Sequence, residues 1–453
     1  MPERPQLFGT DGVRGVAGEY PLDRETVGQL GHALGVVLEK TVPARPLRVV
    51  LGEDTRESSS WISRALAGGL RASGVEVFYA GVITTPGVAF LARNHGFAAG
   101  VMISASHNPF EDNGVKVLSS SGTKLPEALE LEIEKALRQT KASLTADSGI
   151  PLEPAPRLLA DYLDYLETLA SRKSRPRARR LVVDCANGAS AHVVPELLKR
   201  LGIEAQLIGA EPSGRNINLD CGSLHPVKMA AATKSSAADL GVAFDGDADR
   251  AIFASTEGRI ADGDHILFAV APFFKESGRL KGNGVVGTLM TNLGLELALM
   301  EKDIELKRTP VGDKYVLEEM LRTGINVGGE PSGHIIFSDI SRAGDGIVTM
   351  LQVLRLMDEI EKPFGELVGA LKQFPQIIRN VRVGEKKPLD SIPEVTRAIE
   401  ACKAEAGDRG RVVVRYSGTE KLARVMVEAE NAEMVERHAA RIADAIHQTL
   451  GLK

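Results

Sequence analysis

The sequence predicts three similar α/β units with mixed sheets, followed by a smaller C-terminal α+β unit. Three observations carry that expectation. A short pattern occurs three times along the chain: an apolar strand, a helix, then a small or acidic residue followed by Val or Ile, Glu and a second strand. Short apolar strands alternate with amphipathic helical stretches, which marks β-α-β units. After residue 370 the alternation stops. With 453 residues the chain is too long for one ordinary core, and two to four units is the expected count.

The first copy of the pattern runs from Leu47-Arg48-Val49-Val50-Leu51 to Gly74-Val75-Glu76-Val77. Between them Ile62, Leu66 and Leu70 recur at steps of four, one apolar stripe of a helix. The second copy runs from Leu181-Val182-Val183-Asp184 to Gly202-Ile203-Glu204-Ala205, and the third from Gly284-Val285-Val286-Gly287 to Asp303-Ile304-Glu305-Leu306. Unrelated β-α-β units resemble one another by chance, so strand pairing must decide whether the repeat is structural. In the last unit, 377–383, 411–416 and 422–428 read as strands. A final helix carries Val435, Ala439, Ile442 and Ile446 on one face. The expected division is 1–155, 156–255, 256–369 and 370–453.

Composition narrows the function. Hydrophobic residues at 43% and charged residues at 25% are ordinary globular values. A net charge of −5 gives no general attraction to nucleic acid or to an anionic membrane, so neither is expected as a partner. An anionic ligand would need a local cluster of Arg and Lys. The first eight residues lack the apolar core of a signal peptide, and no apolar run is long enough to span a bilayer. Cys185, Cys221 and Cys402 are far apart, odd in number and without zinc spacing. They read as packing or surface thiols in a reducing compartment, and a cytoplasmic location is expected.

Five segments have residue types suited to chemistry. In Ile103-Ser104-Ala105-Ser106-His107-Asn108-Pro109 a strand runs into a turn. A plain turn is the bland reading. The functional one is a nucleophilic Ser106 on a rigid loop, with Lys116 returning to it as acid/base. His107 is too close in sequence to form a protease-like pair. In Asp245-Gly246-Asp247-Ala248-Asp249-Arg250 three carboxylates alternate with small residues between apolar strands. A calcium EF-hand needs Gly and Glu where this chain has Arg250 and Thr256, so Mg²⁺ with oxygen ligands is favoured. Arg250 is placed to hold phosphate oxygens.

The remaining three segments are weaker alone. Gly328-Gly329-Glu330-Pro331-Ser332-Gly333-His334 sets a carboxylate, a hydroxyl and an imidazole among glycines, which suits sugar hydroxyls or a common turn. Arg415-Tyr416-Ser417-Gly418-Thr419-Glu420, with Arg424 after it, has the groups of a phosphate cradle or of a plain hairpin. Phe8-Gly9-Thr10-Asp11-Gly12-Val13-Arg14-Gly15 is a glycine-spaced loop without the final Lys-Ser/Thr of a Walker loop, so nucleotide binding is not expected.

Taken in this order, the five segments resemble the α-D-phosphohexomutase family from Phe8 to about Glu428. The resemblance implies four domains around a central cleft, three of them alike. It implies phosphorylated Ser106, with Asp245, Asp247, Asp249 and the phosphoserine binding one Mg²⁺. Glu330 and Ser332 would hold sugar hydroxyls, with His334 beside them. Arg415, Ser417, Gly418 and Thr419 would hold the phosphate not being transferred, with Arg424 and Arg250 as further anion contacts. Lys116 is the first candidate for general acid/base, before His107, His334 and Arg14.

The opening loop, Asp11 included, and Thr309-Pro310-Val311-Gly312-Asp313-Lys314-Tyr315 resemble the amino-sugar branch. That implies interconversion of glucosamine 6-phosphate and glucosamine 1-phosphate, a sugar bisphosphate as activator, and a monomer or homodimer. Pro331, Lys314 and Lys421 depart from that branch, without removing a charge the chemistry needs. The rivals are a mannose/glucose-phosphate mutase with the same machinery, a phosphoserine hydrolase, and a sugar-phosphate-binding protein without catalysis.

Overall fold

Each copy of the repeat forms two adjacent parallel strands joined through a helix. The computed structural model describes residues 7–9, 11–140, 151–170, 179–417 and 421–451. Strand Arg48–Glu53 pairs with Glu76–Val82, Arg180–Asp184 with Glu204–Ile208, and Gly284–Thr288 with Glu305–Thr309. The connecting helices are Ser59–Ala72, Ser190–Leu201 and Leu293–Met300. Ile62, Leu66 and Leu70 are fully buried.

The sequence signature between helix and second strand is a helix stop. Gly74, Gly202 and Asp303 all have left-handed φ, at +83°, +67° and +52°. The next residue, Val75, Ile203 or Ile304, is buried and donates its N–H to the carbonyl of Leu70, Leu198 or Leu299. Those bonds satisfy carbonyls the helix end would leave open. The Glu that follows is the exposed first residue of the second strand in all three copies.

The likeness extends to two more strands per unit. A third strand, Ala99–Ile103, Leu240–Phe244 or Val327–Gly329, lies parallel on the other side of the first. A fourth, Asp112–Ser119, Ala251–Ala254 or Ile335–Phe337, runs antiparallel to the third. Each sheet is therefore mixed, with the order second-first-third-fourth. The first sheet adds Gly12–Val16 and Phe8–Gly9 beyond its fourth strand, and the second adds Ile260–Ala261.

One apolar cluster runs continuously through these three units. Helix Pro156–Leu169 helps to join them: Leu158, Tyr162, Leu163 and Leu166 are buried, and the Tyr162 hydroxyl donates to Asp345 at 3.0 Å. The C-terminal sheet is different, wholly antiparallel in the order Gln376–Arg382, Leu422–Ala429, Gly410–Tyr416. Helices Pro393–Ala406 and Ala432–Leu450 pack on it, and Val435, Ala439, Ile442 and Ile446 fill a core separate from the first. It meets the third unit through buried Glu428, which accepts from Leu293 N–H at 2.9 Å and from Arg411 at 2.6 Å. All three cysteines are buried thiols. Among the described residues, no helix is long and apolar enough to cross a membrane.

Candidate active site

The turn from third to fourth strand holds the candidate residues in all three α/β units. In the first it holds Ser106, in the second the three aspartates and Arg250, in the third Glu330, Ser332 and His334. Each turn has one left-handed residue: Ser106 at φ +54°, Ala248 at +57° and Gly333 at +88°. For Ser106 and Ala248 that conformation costs roughly 1–3 kcal/mol, so the surroundings must impose it. Gly333 also needs its lack of side chain, since a Cβ there would meet the Ala251 carbonyl at 2.3 Å.

The first two turns face each other. Ser106 Oγ donates to Asp245 Oδ2 at 2.6 Å and lies 3.3 Å from His107 Nδ1. Asp245, Asp247 and Asp249 are buried, each offering an oxygen within 4.8 Å of the others'. Burial, and then the Asp249 and Asp247 charges, hold the Asp245 carboxyl well above the usual range. Asp247 Oδ1 and Asp249 Oδ1 are buried without a hydrogen-bond partner among the described residues. Three crowded carboxylates with bare oxygens suit a hard divalent cation, so the donor set fits Mg²⁺.

Cations surround this acidic centre. Lys116 Nζ lies 2.7 Å from Asp247, 3.0 Å from Asp11 and 3.7 Å from Asp249. Burial alone would depress its ammonium, but the three carboxylates outweigh burial and raise it above the usual range. His334 sits 3.7 Å from Asp249 and 3.8 Å from Asp313. Burial opposes its charge, yet Asp249 and the other carboxylates push it up to about 9. His107 goes the other way, down to about 4, through burial and the Arg250 and Arg14 charges. Arg250 stands 3.7 Å from Asp249 and donates its N–H to Asp245 Oδ1 at 3.2 Å.

Arg14 reaches the cluster through Asp11, which it pairs with. Asp11 is also held by Lys124, whose Nζ bridges it to Asp313 at 2.7 Å on both sides. Its carboxylate is thus committed to three cations. A cavity of about 250 Å³ lies behind these pairs, lined by Phe8, Lys124, Leu317 and Ile336; Lys116 borders it and Ser106 does not. In the third turn Glu330 Oε1 accepts from Gly312 N–H at 3.1 Å, which ties the 309–315 loop to the sugar-type loop.

Arg415 and Arg424 face each other across strands of the C-terminal sheet. Like charges directly opposite are unfavourable without an anion nearby. Burial and the Arg424 charge lower the Arg415 guanidinium. Ser417 is buried, and its carbonyl accepts from Lys386 at 2.7 Å. Gly418 and Thr419 lie outside the described residues.

Sequence reasoning missed Asp54, Arg56, Thr85 and Asn218. Thr85 donates to Asp247 Oδ2 at 2.5 Å from the start of helix Thr85–Asn94. Arg56 and Asn218 both donate to the Ser106 carbonyl, each at 2.9 Å. The available signal was Asp54-Thr55-Arg56, charged residues directly after an apolar strand. Asn218 offered none, because its partner is 112 residues away.

Comparison with known proteins accounts for this arrangement. The chain matches four domain families in order: Phosphoglucomutase/phosphomannomutase alpha/beta/alpha domain I over residues 5–143, domain II over 160–258, domain III over 262–374, and the C-terminal domain over 379–445. The chain belongs to the phosphoglucomutase/phosphomannomutase family, the α-D-phosphohexomutases. Membership makes it an isomerase of the intramolecular phosphotransferase kind.

Two curated relatives of this phosphohexomutase are phosphoglucosamine mutases. One, from Solibacter usitatus, is 49% identical over 98% of this chain and 99% of its own. The other, from Koribacter versatilis, is 48% identical over 99% of this chain and 98% of its own. Among solved structures, Aspergillus fumigatus N-acetylphosphoglucosamine mutase in complex with GlcNAc-6P and magnesium shares the fold. Its TM-score is 0.64 at 20% identity, covering 99% of this chain and 96% of that one.

Proposed function

We propose that this phosphohexomutase interconverts glucosamine 6-phosphate and glucosamine 1-phosphate through phosphorylated Ser106. The observation that carries the machinery is Ser106 Oγ at 2.6 Å from a buried three-carboxylate cluster. The amino sugar rests on the near-full-length likeness to phosphoglucosamine mutases at 49% and 48% identity.

Phospho-Ser106 gives its phosphoryl group to the free sugar hydroxyl. The P–O bond to Ser106 breaks and the bond to the sugar oxygen forms; the sugar hydroxyl's proton passes to a group of the chain, and Ser106 Oγ takes up a proton to become a hydroxyl again. The bisphosphorylated sugar turns over in the cleft and its other phosphoryl group returns to Ser106. Asp245, Asp247 and Asp249 would hold Mg²⁺, which when bound neutralises charge on phosphoryl oxygens. Lys116, held protonated, donates to those oxygens and is the proposed acid; neutral His107 is the nearer acceptor beside Ser106. Glu330, Ser332 and His334 read the sugar. Arg250, beside the aspartates, holds phosphate oxygens at the metal end, and Arg415, Ser417 and Arg424, with Gly418 and Thr419, hold the phosphate that stays.

The same reading includes activation by a sugar bisphosphate, a cytoplasmic monomer or homodimer, and the division at 155, 255 and 369; the first, third and C-terminal sheets each lie within one segment, while the second runs on past 255 to Ile260–Ala261. A site built for an amino group leaves acceptors unpaired when glucose or mannose binds, at roughly 1–3 kcal/mol per buried group. The expected preference is about tenfold to hundredfold. Asp11 and the 309–315 loop act here at one remove, Asp11 by fixing Lys116 and the loop by fixing Glu330. Measuring kcat/KM for glucosamine, glucose and mannose 6-phosphates under identical Mg²⁺ and bisphosphate tests this. A clear preference for glucose or mannose would transfer the protein to the rival branch.

A further inference from the structure

The Ser106 turn is gripped from two units at the same two carbonyls. Arg56 Nη2 donates to the carbonyls of Ser106 and Asn108, both at 2.9 Å, and Nη1 reaches the Pro109 carbonyl. Asn218 Nδ2 comes from the second unit and donates to the same carbonyls at 2.9 and 3.1 Å. Asn218 is itself set by its own N–H, which donates to the Ala186 carbonyl at 2.8 Å.

The other side of the Ser106 peptide is held as well. Its N–H donates to Ser104 Oγ at 2.9 Å, and that hydroxyl donates to Asp54 Oδ2 at 2.6 Å. The same Asp54 oxygen accepts from Arg56 Nε at 2.9 Å, and both side chains are fully buried. One ion pair therefore fixes the N–H and the carbonyl of a residue held at left-handed φ. Gly246 leaves room for this arrangement, since a Cβ there would meet the Ser106 carbonyl at 2.5 Å and the Asn218 amide at 3.0 Å.

We propose that Arg56 and Asn218 are positioning residues which together aim Ser106 Oγ at the aspartate cluster and the acceptor hydroxyl. This rests on the phosphoserine reading above. The Arg56 guanidinium is spent on carbonyls and Asp54, so its effect on the reaction runs through loop geometry. Once phosphorylated, Ser106 Oγ has no proton left to donate to Asp245, so that anchor of the turn is lost and its backbone grip remains. Without the grip the turn can swing the phosphoryl group toward water. Small misplacements of a reacting group cost up to about a hundredfold in rate.

The test uses full-length Asn218→Ala and Asn218→Asp, which leave the buried Asp54–Arg56 pair intact, with Arg56→Lys as a second site that keeps charge but loses the fork. Each is compared with wild type for kcat, KM of the sugar phosphate, melting temperature, and partition of phospho-Ser106 between sugar and water. Expected are a kcat about tenfold to hundredfold lower for the Asn218 variants, unchanged KM, near-wild-type melting and a larger share lost to water. Wild-type kcat and partition in folded Asn218 variants would overturn the proposal while leaving the mutase reading standing. A wild-type protein inactive on all three sugar phosphates would overturn that reading and this inference with it.

Discussion

The turns of the three α/β units and the corresponding loop of the C-terminal unit solve two different problems. Ser106 and the Asp245, Asp247 and Asp249 carboxylates are buried and set by hydrogen bonds between units, and the strands that carry them pack into large apolar clusters. The Arg415–Arg424 hairpin stands on a separate core and meets the third unit through polar contacts, Glu428 accepting from Leu293 N–H and Arg411 donating to the Leu289 and Thr291 carbonyls. Transfer of a phosphoryl group depends on fixed positions. On the proposed function, holding the distant phosphate in either of two sugar orientations falls to the C-terminal unit and calls for a part that can move. The proposed mutase reading therefore places the fixed role on the α/β units and a movable one on the C-terminal unit.

The sharpest way to break this contrast is to remove chemistry from the rigid side. Ser106→Ala is expected to abolish turnover and the phosphate seen on Ser106 by peptide mass spectrometry; equal activity would sink the nucleophile. Asp247→Asn, or chelation of wild type, is expected to lower turnover by orders of magnitude, restored only for wild type by added Mg²⁺. Full activity after chelation would contradict the metal reading.

On the movable side Arg415→Ala removes one charge-assisted contact, worth roughly 1.5–3 kcal/mol. The expected outcome is KM raised about tenfold to hundredfold with a smaller change in kcat. A kcat loss as deep as that of Asp247→Asn would erase the distinction between the two regions. Solution scattering checks closure. Saturating sugar phosphate is expected to compact the protein, and identical profiles with and without it would count against a moving C-terminal unit.

The smallest effect concerns His107. Its folded value of about 4 lies below the ordinary 6.5, so the unfolded chain binds the proton first as pH falls. Stability is unaffected above about pH 6.5 and declines between there and pH 4. His107→Gln removes that decline. Urea midpoints at pH 5 and 7.5 for both proteins check it, and an equal pH difference in the two would exclude this histidine as its source.

Much of this was legible along the chain because it is local. The threefold pattern was readable since a helix stop, a buried apolar residue and an exposed Glu follow one another directly. The aspartates stood out because alternating carboxylates within an apolar frame have few other uses. Gly418 and Thr419 stay at the level of expectation, lying outside the described residues.

The sequence by itself determined the repeated β-α-β units, the separate last unit and the residue types of each turn, because backbone period, helix stops and local spacing act over a few residues. Only the tertiary structure decided that the same turn of each unit faces a common centre, that Asp11 is neutralised by Lys116, Lys124 and Arg14, and that Asn218 reaches the Ser106 carbonyl. Those contacts join residues up to more than a hundred positions apart. A charge or an amide has no preferred partner at that range until packing brings one within hydrogen-bond distance and removes the competing water.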